Sequence, residues 1–200
     1  MEAPEVEGHH SHHHTGHRWV DLLLAGCAIL ISVISLFLGI HHGHTMEKLV
    51  QANTWPYLDY GTSNATPDGG TDITLQWHNA GVGPARVETF EVFYKDKAVA
   101  SPRALLDACC QPAEGAGKPR FITSSLGDMV LPARETTQFL RMRPGDSSPE
   151  VMRAFDQARA SIASRVCYCS VFDECWLRDS RQRKPEAVKT CPTPATPYRD

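Results

Sequence analysis

No phosphate-cradling glycine-rich loop, no G-x-S-x-G nucleophile elbow and no H-E-x-x-H signature occurs in these 200 residues. The motifs that most directly mark nucleotide, acyl-transfer and zinc-protease chemistry are therefore missing. C-x-x-C is missing too, although the chain holds seven cysteines, which removes the signature of a thioredoxin-like redox centre. After His44 the sequence carries one further histidine, His78, so histidine acid–base catalysis would rest on a single strand residue. A formal net charge of −3 leaves no basic footprint, and nucleic acid is not expected as a partner. The local run Arg178, Arg181, Arg183 and Lys184 reads as a solvated face. Asp173 and Glu174 are adjacent, so their side chains diverge and they read as a turn. No catalytic residue is expected.

Charge is absent altogether from Leu22–Ile40. A membrane-crossing helix rises about 1.5 Å per residue and needs roughly 20 apolar residues. The segment 19–40 has that length, with Trp19 and Asp21 where an interface would lie. Its polar residues, Ser32 and Ser35, can bond back to the helix's own carbonyls. A transmembrane helix anchored in the lipid bilayer is the expectation. No small-x-small cleavage site precedes Thr45, which argues against a removed signal peptide. Flanking charge does not orient the span, because Arg18 on one side balances Lys48 on the other. Cysteine does: six of the seven follow the span, an even number that suggests disulfides and an oxidising compartment. The expected topology has the N-terminus inside and the domain outside.

Along the span, Asp21, Ala25, Ala28, Ser32, Ser35 and Gly39 recur at steps of four and three, a register that His42, Met46 and Leu49 continue. Small residues allow close helix–helix approach in lipid, so this stripe suggests a homodimer or a partner membrane protein. Histidines cluster on both sides: His9, His10, His12, His13, His14 and His17 before the span, and His41, His42 and His44 after it. Imidazole suits Zn, Cu or Ni, and a flexible tract can wrap an ion. The alternative is a low-complexity tail with incidental metal affinity.

The remaining chain has domain size and a β-dominated pattern. Ile73, Leu75 and Trp77 alternate with Thr74, Gln76 and His78, which predicts a strand with one buried face. Asp68-Gly69-Gly70 marks a turn before it, with Tyr57–Tyr60 as a hairpin partner. Further strands are predicted over Arg86–Tyr94, Arg120–Ser125, Thr136–Arg143, Arg165–Phe172 and Cys175–Arg178, with a turn at Lys95-Asp96-Lys97. Ser101-Pro102 and Ser148-Pro149 each pair an N-cap hydroxyl with a proline at the first helical position. They predict helices over Pro102–Cys109 and from Pro149 through Ala163, the second with Val151, Phe155, Ala158 and Ile162 on its apolar face. The fold class is thus one transmembrane helix followed by a β-sandwich-like domain with two inserted helices. The expected order is a His-rich disordered tail (1–18), a span (19–40), a helical juxtamembrane linker (41–54), a β-rich domain (55–180) and an irregular proline-containing tail (181–200).

Three segments carry a family resemblance: Asn79-Ala80-Gly81-Val82-Gly83-Pro84-Ala85, Leu131-Pro132-Ala133, and Trp55-Pro56 soon after a single span. Together they resemble uncharacterised bacterial inner-membrane proteins with an immunoglobulin-like domain outside the membrane, over about residues 19–140. The motifs are structural, serving tight backbone and sheet-edge turns. Where such a domain carries glycine after the Leu-Pro-Ala turn, this chain has Arg134. The resemblance implies a periplasmic domain and brings no known activity with it.

The cysteines admit two readings. Cys167 and Cys169 flank Tyr168 on one strand face, too far apart along it to bond each other well, and Cys109 and Cys110 are adjacent. One pair bonding the other, with Cys175 joined to Cys191, is the expected disulfide set. The competing reading is a thiolate zinc site from Cys167, Cys169, Cys175 and one of Cys109 or Cys110, which requires a reducing compartment and the reversed topology. Two functions follow as expectations: a membrane-anchored interaction module, or a metal-responsive protein using the histidine clusters.

Overall fold

Between Arg18 and Asn53 there is no proline and a high content of Leu, Ile, Ala and Val. That stretch forms one uninterrupted helix, α1 (Arg18–Asn53, 36 residues), with no buried side chain. At 1.5 Å per residue it is about 54 Å long. By length and composition it is long and apolar enough to cross a membrane. The predicted span and juxtamembrane linker are one continuous element. Pro56, which cannot continue a helix, follows closely. In the computed structural model the described residues are 18–66, 70–112 and 118–199. The chain divides between Leu49 and Val50 into two units, and the second holds everything that follows.

That second unit is β-rich. In chain order it contains β1 (Leu58–Ser63), β2 (Ile73–Asn79), β3 (Ala85–Tyr94), β4 (Lys97–Val99), α2 (Pro102–Cys109), β5 (Met129–Leu131), β6 (Thr136–Met142), α3 (Pro149–Ala158), β7 (Ile162–Cys169), β8 (Cys175–Asp179) and β9 (Glu186–Val188). One sheet has the order β1-β2-β6. In the other, β3 carries β4 and β5 on one edge and β7 on the opposite edge, followed by β8 and β9. Every pairing is antiparallel. The inward residues of both sheets and of α2 and α3 form one core. Ile73, Leu75 and Trp77 are fully buried as their alternation predicts, each contributing roughly 2 kcal/mol of burial. A bulge in β6 sets Leu75 opposite Leu140 and Gln76 opposite Gln138. Phe139 is the extra residue, and it enters the core beside Leu140.

Both helices begin as predicted: Ser101 Oγ accepts from Ala104 N–H and Ser148 Oγ from Val151 N–H. The second ends earlier than expected. Arg159–Ser161 tighten into a 3-10 turn, and Ile162 and Ala163 belong to β7, where they pair with Tyr94 and Phe93. The helical spacing of Ile162 is a coincidence that the β3 edge overrides. Arg120–Ser125 is likewise not a strand, since only Ile122 bridges to Arg141.

The segment 181–200, expected to be irregular, contains β9 and supplies a core residue. Tyr198 is 5% exposed and packs edge-on against Phe90 and Phe139. Its N–H donates to Phe90 O, in the stretch of β3 that neither β4 nor β5 covers.

Candidate functional site

Three arrangements in the second unit concentrate its polar chemistry. The first surrounds Asn79, which is fully buried at the end of β2. Its Nδ2 donates to Gly83 O (2.9 Å), Leu131 O (3.1 Å) and Pro132 O (3.2 Å), and its Oδ1 accepts from Tyr57 N–H (3.2 Å) and Gly81 N–H (3.0 Å). Val82 and Gly83 N–H groups donate to Trp55 O, and Ala80 N–H to Tyr57 O. Gly81 and Gly83 permit this approach: a Cβ at Gly83 would lie 1.8 Å from Thr54 O, and one at Gly81 2.5 Å from Trp55 O. The Asn-x-Gly-x-Gly-Pro-Ala loop is therefore a clamp on residues 54–57. The adjoining Leu-Pro-Ala turn places Arg134 at φ 65°, a conformation that favours glycine. There Arg134 N–H donates to Asn79 O.

The second arrangement lies at the end of β8. Arg178, expected on a solvated face, is 8% exposed. Its guanidinium donates to Leu58 O, Asp179 O and Gln182 O, and pairs with Asp59, joining β8 to the first strand of the other sheet. Asp179 accepts from Arg181, through both backbone and side chain, and from Arg165. Burial pushes its carboxyl up, but the hydrogen bonds and charge of Arg181 outweigh that and hold it down at about 2. The guanidinium groups of Arg165 and Arg181 both lie over the Phe93 ring, at 5.1 and 5.2 Å. No spacing rule marked this network, because Leu58 O and Asp59, which draw Arg178 inward, belong to a strand far earlier in the chain.

The third is sulfur. All six cysteines of the second unit are bonded, but in pairs other than those expected: Cys109–Cys110, Cys167–Cys191 and Cys169–Cys175. Strand alternation gives the reason. Val166 and Tyr168 face the core that α2 also lines, so Cys167 and Cys169 face away from it, on the opposite side of the sheet from Cys109 and Cys110. The α2 pair has only itself within reach. Cys169 stands directly across from Cys175 in the ladder, and the segment after β9 brings Cys191 to Cys167. The expected links between the two pairs, and from Cys175 to Cys191, are not made, and these six side chains are not thiolates.

Histidine behaves differently. His41, His42 and His44 lie on α1, and His44 Nδ1 sits 3.9 Å from Glu47 Oε2. Among the described residues, the His, Cys, Asp or Glu ligand atoms that converge in a group of three are the sulfurs of Cys169, Cys175 and Cys191, which are held in disulfides. His9, His10, His12, His13, His14 and His17 lie outside the described residues. So do Asp68 and Gly69 of the predicted turn. His78 Nδ1 is engaged with Thr136 Oγ1 at 3.0 Å. Asp21, Ala25, Ala28, Ser32, Ser35 and Gly39 all lie on exposed α1 surface.

A cavity of about 630 Å³ opens between Glu88–Phe90, Asp128 and Thr193–Arg199. Its polar lining includes Glu88, Thr89, Ser125, Asp128 and Thr193. No protein-family model, curated protein or solved structure matches the chain.

Proposed function

We propose that this protein is a single-pass, membrane-anchored interaction module with no catalytic activity. In this reading 19–40 spans the bacterial inner membrane with the N-terminus in the cytoplasm, and a sandwich-like, immunoglobulin-type domain stands in the periplasm. The observation that carries it is the pairing of all six cysteines that follow the helix, while Cys27 within the helix is the free one. Disulfides persist in oxidising compartments and are rare in the cytosol. The small-residue stripe would bring the helix to a second copy or to a partner membrane protein.

The test is a thiol count on intact cells, lysed directly into a polyethylene-glycol maleimide under denaturing conditions. One thiol should react without reductant and all seven after reduction. Six or seven reacting without reductant would place the domain in the cytoplasm and sink the reading. Cu, Zn or Ni capture by the histidine clusters is the competing proposal and rests on composition. Deleting Glu7–His17 separates the two, since metal affinity should vanish only under the second.

A further inference from the structure

Two disulfides lie side by side on the outer face of the larger sheet. Cys169–Cys175 cross-links β7 to β8, and Cys167–Cys191 fastens the segment after β9 to β7. The sulfurs of Cys169 and Cys191, which belong to different bonds, are 4.0 Å apart. The sulfurs of Cys169, Cys175 and Cys191 all lie within 4.8 Å of one another. Accessibility falls inward: Cys191 is half-buried, while Cys175 is 9% exposed, Cys169 3% and Cys167 0%. A disulfide has an S–S length of about 2 Å, so Cys169 and Cys191 can bond after each sulfur moves by about 1 Å, within the range of a side-chain rotation.

We propose that these four cysteines form an internal thiol–disulfide exchange centre whose substrate is a dithiol reductant. A thiolate of the dithiol attacks Cys175 Sγ. The Cys169–Cys175 bond breaks, and its electron pair leaves on Cys169. The second thiol of the reductant resolves the mixed disulfide, releasing Cys175 as a thiol and the reductant as its cyclic disulfide. Two electrons have then passed from the dithiol to the protein. The Cys169 thiolate next attacks Cys191 Sγ. A Cys169–Cys191 bond forms, the Cys167–Cys191 bond breaks, and the pair leaves on Cys167, which takes a proton from solvent. Exchange of this kind requires a thiolate in contact with a disulfide sulfur, and the 4.0 Å separation supplies that contact. The segment bearing Cys191 stays attached to β7 throughout. Its anchor moves by two residues, about 6.6 Å along the strand, and the reduced sites become Cys167 and Cys175.

Two single variants of the full chain should converge on one new bond. With Cys175→Ser, the Cys169 thiol faces Cys167–Cys191; with Cys167→Ser, the Cys191 thiol faces Cys169–Cys175. Each variant is held at mildly alkaline pH, quenched in acid, alkylated and mapped without reduction. A Cys169–Cys191 cross-linked peptide is expected in both. Wild-type protein given one equivalent of dithiothreitol provides the same readout without a substitution, and should yield that peptide with Cys167 and Cys175 alkylated. Persistence of Cys167–Cys191 with no Cys169–Cys191 peptide in the first variant, and alkylation of Cys169 and Cys175 in place of Cys167 and Cys175 in the wild type, beside the free Cys27 in both, would overturn the proposal.

Discussion

Replacing Asn79 by alanine tests the clamp most directly. The amide accepts from two backbone N–H groups, those of Tyr57 and Gly81, and its two donor hydrogens serve the carbonyls of Gly83, Leu131 and Pro132. Two hydrogens cannot fully satisfy three carbonyls, so the side chain makes about four bonds' worth of contact. Each such bond is worth about 1 kcal/mol net, and a buried group left without a partner costs about 1–3 kcal/mol. Some groups will find water in the space that alanine leaves, so the expected loss is about 3–5 kcal/mol. For a domain of this size each kcal/mol lowers the melting temperature by about 2–4 °C, giving a drop of roughly 6–20 °C. Asn79→Asp sharpens the test. It keeps the acceptor toward Tyr57 and Gly81 but turns a carboxylate oxygen toward three carbonyls, so it should be at least as damaging despite its near-identical shape. The assay is thermal and urea unfolding of the oxidised, detergent-solubilised chain, followed by near-ultraviolet circular dichroism. A loss below about 1 kcal/mol for the alanine variant, which is the ordinary effect of a single surface bond, would refute the clamp as a buried, fully used network.

Arg134→Gly should stabilise the domain slightly. It relieves a left-handed residue at a cost of about 1–2 kcal/mol while adding about 0.4–1 kcal/mol of unfolded-state entropy, and a lower urea midpoint would contradict this. Asp179 contributes acid-sensitive stability, because its folded value of about 2 lies below the ordinary 3.8. That contribution is complete above pH 3.8 and disappears as pH falls through about 2. It amounts to about 1 kcal/mol after solvent screening, and Asp179→Asn should flatten the acid limb of the stability curve. Ala28→Leu with Ser32→Leu should reduce self-association or partner association in a membrane two-hybrid assay, and unchanged association would exclude that helix face.

The strands with alternating burial and the starts of both short helices were legible because their causes are local. Ile73, Leu75 and Trp77 declare their face by spacing, and Ser101-Pro102 and Ser148-Pro149 declare helix starts by capping. β4, β5 and β9 were not legible. Three residues are too few for a period, and these strands exist because β3 and β8 offer open edges. The same limit applied to sulfur. Spacing placed Cys167 and Cys169 on one face, but not on which side of the sheet α2 would pack, and that decided every pairing. Arg178 looked like surface because its acceptor Leu58 O belongs to a strand far away in sequence. Gly81 and Gly83 read from sequence as tight backbone, which their close approach to Thr54 and Trp55 bears out, yet only the packing revealed that residues 54–57 are what the loop grips.

Tyr198 completes an aromatic cluster begun by Phe90 and Phe139, and its backbone caps the bare middle of β3. Synthesis delivers the chain amino end first. Residues from β1 to β8 can emerge and pair, but the cluster stays unsealed and that stretch of β3 stays uncapped until Tyr198 arrives. Completion of the cluster thus waits on Tyr198, far beyond Phe90 and Phe139 in the chain, and the apolar edges of those two rings stay open until it docks.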